Sequence, residues 1–241
     1  MMADCPKPPK DLQALEHAGE RVVIASFYGA NRGARLADAQ RRVFERFGWP
    51  INQVEVEFPR CTHGFAVDRF LTELGGDYDY FMLFDIDAVP LRSDFVNVAI
   101  DKIRDQRTVF GPAQQSNHIV VNDSVNHLYA GPSAFAISRK MYEALGRPTF
   151  DGTARSDCAE EITWRAEEQG YTVCLIFPAH VHERRWQLGN GHAFGIGTTY
   201  GDLVFHAFLP GNPTNERLFI EQCERLLAHP TADRLEPRLI A

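Results

Sequence analysis

The sequence has no apolar run approaching the ~20 residues needed to span a bilayer, and Met1 to Lys10 is polar and proline-bearing, without the apolar core of a leader. The expectation is a chain that stays in the cytoplasm. CxxC spacing is also absent: the five cysteines, Cys5, Cys61, Cys158, Cys174 and Cys223, are odd in number and scattered. That pattern suggests neither a disulfide framework nor a zinc site, and reduced thiols are expected. Positive charge is scarce, with 25 Lys and Arg against 32 Asp and Glu for a net charge of −7. A broad basic face for nucleic acid is therefore disfavoured, and any anion site must be local or metal-assisted. Internal repeats and low-complexity blocks are missing as well.

What is present suits one sizeable α/β domain: 241 residues, 44% hydrophobic, with 17 Phe. Residues 1–19 read as a polar extension, 20–230 as the domain and 231–241 as a tail. Arg21 to Phe27 is a β-branched run that ends in a glycine-containing turn, and Leu36, Ala39, Val43, Phe44 and Phe47 mark a helix over 35–47. A strand is expected at 52–58, a helix at 65–74, and a buried strand at Tyr80 to Phe84, where the apolar run is continuous. Further helices are expected at 94–104, 138–145, 160–169 and 219–228, with strands at 108–110, 134–137 and 172–177. Strands alternating with helices predict a mostly parallel central sheet flanked by helices, with ligands at the carboxyl ends of the strands. Leu188 to Gly201 is Gly-rich without apolar periodicity and reads as a mobile loop.

The chemistry concentrates where the buried strand ends. Phe81-Met82-Leu83-Phe84 runs into Asp85-Ile86-Asp87, and i, i+2 spacing can aim two carboxylates in one direction. Oxygen ligands with open positions suit Mg²⁺ or Mn²⁺ bridging to diphosphate oxygens. The plain alternative is a pair of Asp capping the next helix. Val89-Pro90-Leu91 opposes it, because Pro90 prevents a regular helix from continuing out of Asp87.

The segment YDYFMLFDIDAVPL resembles the DxD region of glycosyltransferases with the GT-A fold, and three later segments follow in that family's order. The resemblance covers roughly residues 20 to 210. It implies a GT-A-like fold and a metal-dependent hexosyl- or pentosyltransferase. Such an enzyme moves sugar from a nucleotide-diphosphate donor, a UDP-sugar favoured, to an acceptor hydroxyl, more in keeping with inversion than retention. It also implies that Asp85 and Asp87 hold Mn²⁺ or Mg²⁺, with Asp85 and Ile86 beside the donor. Tyr129 to Arg139 is similar to the turn and strand that hold the donor sugar, where Gly131 would allow close backbone approach. Asp157 to Arg165 is similar to the acidic motif heading a helix, where a carboxylate deprotonates the acceptor. The register places Ala159 where the base is usually Asp, so Asp157, Glu160 and Glu161 compete, with Glu160 favoured. Val204 to Phe208 resembles the segment carrying a late histidine ligand, here His206.

Donor contacts are further expected from Ser26, Tyr28 and Arg32 after the first strand, from His63, Asp68 and Arg69, and from Arg184 and Arg185 at the glycine-rich segment. Two other classes stay open. A buried strand followed by DxD is also the nucleophile motif of haloacid-dehalogenase-type phosphatases, although no later paired-Asp motif follows. A non-catalytic nucleotide-sugar-binding protein would account for the shifted acidic motif. A nucleic-acid acceptor is possible but not indicated by the charge.

Overall fold

The continuous apolar run at Tyr80 to Phe84 needs burial on both faces, and it receives it. In the computed structural model, residues 5, 12–29, 33–57, 61–116, 127–189, 191–208 and 211–228 are described. The chain opens with β1 (Leu15–His17), β2 (Glu20–Gly29), α1 (Ala34–Arg46), β3 (Asn52–Val56) and α2 (His63–Leu74). Next come β4 (Tyr80–Asp85), β5 (Ala88–Pro90), α3 (Phe95–Ile103), β6 (Thr108–Gln115) and β7 (Leu128–Ala130). A 3-10 turn at Pro132–Ala134 leads into β8 (Phe135–Ser138), α4 (Arg139–Ala144) and α5 (Glu160–Glu168). The last elements are β9 (Thr172–Ile176), β10 (Pro178–Gln187), β11 (Ala193–Tyr200), β12 (Val204–His206) and α6 (Pro213–Ala228).

Alternation along β4 divides two cores. Phe81 and Leu83 enter a cluster with Phe27, Phe70 and Phe150, whereas Tyr80, Met82 and Phe84 enter another with Phe44, Phe95 and Phe110. The main sheet has eight strands in the order β1-β2-β4-β8-β6-β7, with β3 beside β2 and β9 beside β6. Pairing is parallel for β2 with β3 and β4 and for β6 with β9, but antiparallel at β1/β2, β4/β8, β8/β6 and β6/β7. The sheet is therefore mixed, which corrects the expectation of a mostly parallel one. Strands buried on both faces read alike in either direction, so hydrophobic pattern alone carries no sign of the reversal at β8.

A second sheet, β10-β11-β12-β5, is wholly antiparallel. It also corrects the mobile-loop reading of 188–201, because Ala193–Tyr200 is a strand buried along almost its whole length. Its glycines serve backbone approach: a Cβ on Gly195 would strike Glu183 O of β10, and Gly197 has φ +65°. A third core cluster joins this sheet to α1 and α6 through Leu36, Val43, Val89, Phe205 and Phe219.

Cys5 and Cys61 form a disulfide across 56 residues, with Cα atoms 5.3 Å apart, while Cys158, Cys174 and Cys223 are free. All five thiols were expected to be reduced. Sequence spacing could not show that Cys5 packs into the first core cluster beside Cys61. Among the described residues, no helix is long and apolar enough to cross a membrane. The expected tail at 231–241 lies outside the described residues.

Candidate metal centre and adjoining cavity

Asp85 ends β4, level with Phe27 of β2. The chain turns at 86–87 and leaves the main sheet as β5, where Ala88 pairs with His206 of β12. The two carboxylates thus converge through a turn between sheets. Gln40, fully buried on α1, pins that turn by donating from Nε2 to the carbonyl oxygens of Asp85 (2.7 Å) and Ala88 (2.9 Å). Its own Oε1 accepts from Gln53 Nε2 at 3.0 Å. The backbone N–H of Ala207 closes the other side by donating to Asp87 O at 3.0 Å.

His206 Nε2 lies 3.3 Å from Asp87 Oδ1 and 3.6 Å from Asp85 Oδ2. One ligand atom from each of the three residues falls within 4.8 Å of the others. Burial drives the Asp85 carboxyl above its usual range; His63 and His206 oppose this, and Asp87 adds to it. Burial alone would depress His206, yet Asp87 and then Asp85 hold its imidazole above the ordinary value. Asp87 is 2% exposed, and among the described residues neither its Oδ2 nor His206 Nδ1 has a hydrogen-bond partner. A buried carboxylate oxygen without a donor is costly, and a divalent cation relieves that cost. Two carboxylates and an imidazole fit such an ion.

His63, at the start of α2, places Nδ1 3.7 Å from Asp85 Oδ1 and 3.8 Å from Cys158 Sγ. Burial pushes the Cys158 thiol well above its ordinary value, so it stands protonated. Tyr200, which sequence reasoning passed over, is fully buried with an unpartnered hydroxyl, and Asp85 is the charge that acts on it.

A cavity of 680 Å³ adjoins this cluster, lined by Trp186, Phe194 and Phe208 and also by Tyr129, Asp157 and Cys158. The Phe208 ring lies 3.7 Å from that of His206, so the aromatic part of the lining borders the Asp-Asp-His cluster. Phe208 holds φ +62°, an uncommon conformation for a bulky residue, and Asn215 Nδ2 donates to its carbonyl at 2.9 Å.

The three competing carboxylates part company here. Glu160 is fully buried and accepts from Asp157 N (2.7 Å) and Ser116 Oγ (2.9 Å), with His127 Nδ1 at 2.6 Å. It closes the start of α5 rather than facing the cavity. Glu161 is bound by Arg155 and Arg165 at 2.6 and 3.0 Å, and Arg155 above all holds its carboxyl below the usual range. Asp157 lines the cavity. Ala159, at the position where the resemblance puts the base, is fully buried with φ +67° and carries no chemistry.

The expected donor contacts scatter. Ser26 is fully buried with an unpartnered hydroxyl, Ile86 packs in the third core cluster, and Tyr28 packs against that cluster. Arg32 lies outside the described residues. Asp68 accepts from Phe150 N at 2.7 Å and from Thr149 Oγ1, anchoring that loop. Arg69 is half-buried on α2. A Cβ on Gly131 would strike the side chain of Gln114, which lines the cavity. Arg184 is exposed on β10, and Arg185 lines the cavity while paired to Glu183 at 2.6 Å.

No family model matches the sequence, and curated proteins yield no match either. Similar solved structures include a mannosyltransferase from Pyrobaculum calidifontis in complex with GDP-Man and Mn²⁺, at 13% identity and TM-score 0.42. That match covers 69% of this chain, which spans only 57% of the length of the mannosyltransferase. The catalytic domain of a Drosophila β1,4-galactosyltransferase 7 in complex with xylobiose matches at 11% identity and TM-score 0.44, covering 89% of this chain and 84% of that one. The inositol-1-phosphate CTP transferase of T. maritima matches at 12% identity and TM-score 0.36, covering 82% and 75%. At such values the assignment of chemistry rests on Asp85, Asp87, His206 and the cavity beside them.

Proposed function

We propose that this protein is a metal-dependent glycosyltransferase that moves a sugar from a nucleotide-diphosphate sugar onto an acceptor hydroxyl. The observation that carries the reading is a buried Asp-Asp-His cluster, with polar atoms left unpartnered, bordering a cavity with a carboxylate on its wall. Asp85, Asp87 and His206 would hold the divalent ion, Mn²⁺ in preference to Mg²⁺ because one ligand is an imidazole. Once bound, the ion supplies positive charge for the diphosphate as it leaves. His63 orients Asp85 from the α2 side.

Asp157 replaces Glu160 as the proposed base. It removes the proton from the acceptor hydroxyl as oxygen attacks the anomeric carbon, and inversion follows from a single displacement. Cys158, protonated, does not compete as a nucleophile. The phosphatase alternative needs a second acidic metal pair, and among the described residues the one cluster completes its set with His206. UDP as the donor nucleotide and a cytoplasmic location rest on the sequence reading alone, and the Cys5–Cys61 bond pulls against that location.

A thermal-shift panel of nucleoside diphosphates and nucleotide sugars, with and without Mn²⁺, tests the reading. Stabilisation by nucleotide only when Mn²⁺ is present is expected. Equal stabilisation without metal, or none by any member, would overturn it.

A further inference from the structure

Trp186 is the one large hydrophobic side chain that stands out from the surface among the described residues, at 39% exposure. It lies on β10 where the register with β11 shifts between Arg184 and Trp186, an irregularity that re-aims side chains. There the indole meets Phe194 at 5.2 Å and Phe208 at 5.5 Å, and those two rings meet at 5.6 Å. The three rings form one surface that starts at solvent and ends against His206. An indole left half-wet on a concave wall, rather than folded into the core, provides a ready face for a ligand.

The polar part of the lining points to the ligand. Gln114, whose Oε1 accepts from the Tyr129 hydroxyl at 3.0 Å, and Asp157 line the same cavity, and an amide and a carboxylate both suit neutral hydroxyls. Among the described residues the one cation that lines the cavity is Arg185, and it is paired with Glu183 at 2.6 Å. A phosphorylated or otherwise anionic acceptor would have to compete with Glu183 for Arg185, and a purely apolar one would leave the polar lining unmatched. A pyranose ring satisfies both sides, because its C–H face is apolar and its rim carries hydroxyls. The volume of 680 Å³ is in the range of small-molecule sites.

We infer that this cavity is the acceptor site and takes the neutral end of a saccharide, one pyranose lying on Trp186 with its attacking hydroxyl toward Asp157. The word acceptor rests on the transferase reading; saccharide binding on Trp186 does not. Transfer here forms the bond from acceptor oxygen to anomeric carbon and breaks the bond from that carbon to the diphosphate. The acceptor proton passes to Asp157, and the electron pair leaves with the nucleoside diphosphate.

The test uses the full chain and saturation-transfer NMR with methyl glycosides of glucose, galactose, mannose and xylose, each alone and then with Mn²⁺ and a nucleoside diphosphate. At least one glycoside should show saturation concentrated on ring C–H protons, with matching quenching of tryptophan emission. Trp186→Ala should weaken that binding about tenfold, and Trp186→Phe, which keeps an aromatic face, by no more than about threefold. No saturation on any glycoside, or binding indifferent to Trp186→Ala in a variant that keeps its Tm, would overturn the inference. Displacement of the signal from Trp186 by a free nucleoside would overturn it too, by making the wall a base site. Glycoside binding that persists while nucleoside diphosphate and Mn²⁺ fail to bind would instead sink the transferase reading alone.

Discussion

Replacing Asp87 with Asn should make the metal-free protein more stable and the metal-loaded protein less so. Asp87 is 2% exposed, one of its oxygens meets no donor, and the other lies 3.3 Å from His206 Nε2. Without a cation the cluster packs two acidic side chains against one imidazole in a buried place. Asn keeps the shape and removes one charge. An unsatisfied buried polar group costs about 1–3 kcal/mol, so the gain should be roughly 1–2 kcal/mol after the weakened contact to His206 is subtracted. For a chain of this size that is a rise in Tm of about 2–8 °C. Metal at about 100 times its Kd stabilises the parent by ~2.7 kcal/mol, or about 5–11 °C, and the variant should gain almost none of it. Scanning fluorimetry after chelation, followed by Mn²⁺ titration, measures both arms. A metal-free variant less stable by more than about 1 kcal/mol would show that Asp87 serves the fold through His206. An undiminished Mn²⁺ shift would refute the ligand set.

Gln40→Leu should lower Mn²⁺ affinity about 10–100-fold while leaving Asp85, Asp87 and His206 in place, since it frees the turn that aims them; calorimetric titration checks this. Glu160→Gln should cost stability, about 1–3 kcal/mol, by breaking the buried closure of α5. Asp157→Asn should slow transfer about 10²–10⁴-fold, read as the rate of nucleoside diphosphate release in a variant whose Tm is measured alongside. The folded-state value of Glu161 is depressed, so its contribution is complete above the ordinary carboxylate range and disappears as pH falls through the lower folded value. Acid unfolding of Glu161→Gln should accordingly differ from the parent at neutral pH and converge with it in strong acid. Gly195→Ala should strain the β10/β11 hairpin against Glu183 and expose 188–201 to protease, whereas the parent resists cleavage there without any ligand.

The parts legible in the sequence were those whose burial leaves a distinct local pattern. α1 declared itself because Leu36, Ala39, Val43 and Phe44 fall on one face, and β4 because burial on both faces leaves an uninterrupted apolar run. Asp85, Asp87 and His206 were legible as a set and come together in space. The β11 strand was not, since a strand buried throughout has no period-two alternation, and its glycines imitate a loop. Gln40 was missed although a signal existed: it is the polar residue on the apolar stripe of α1. The demotion of Glu160 was also within reach, because Asp157-x-x-Glu160 is the spacing at which a helix-start carboxylate reaches back to the backbone. The Cys5–Cys61 bond and the reversal at β8 depend on contacts between distant segments, which local pattern does not encode.

The central claim is tested most directly by phosphorus NMR of the full chain with Mn²⁺, a panel of nucleotide sugars and a binding glycoside. A nucleoside diphosphate should be released from at least one donor, only with metal, and not by Asp87→Asn. Release of a nucleoside monophosphate or pyrophosphate in its place, or diphosphate release that persists after chelation, would contradict the account.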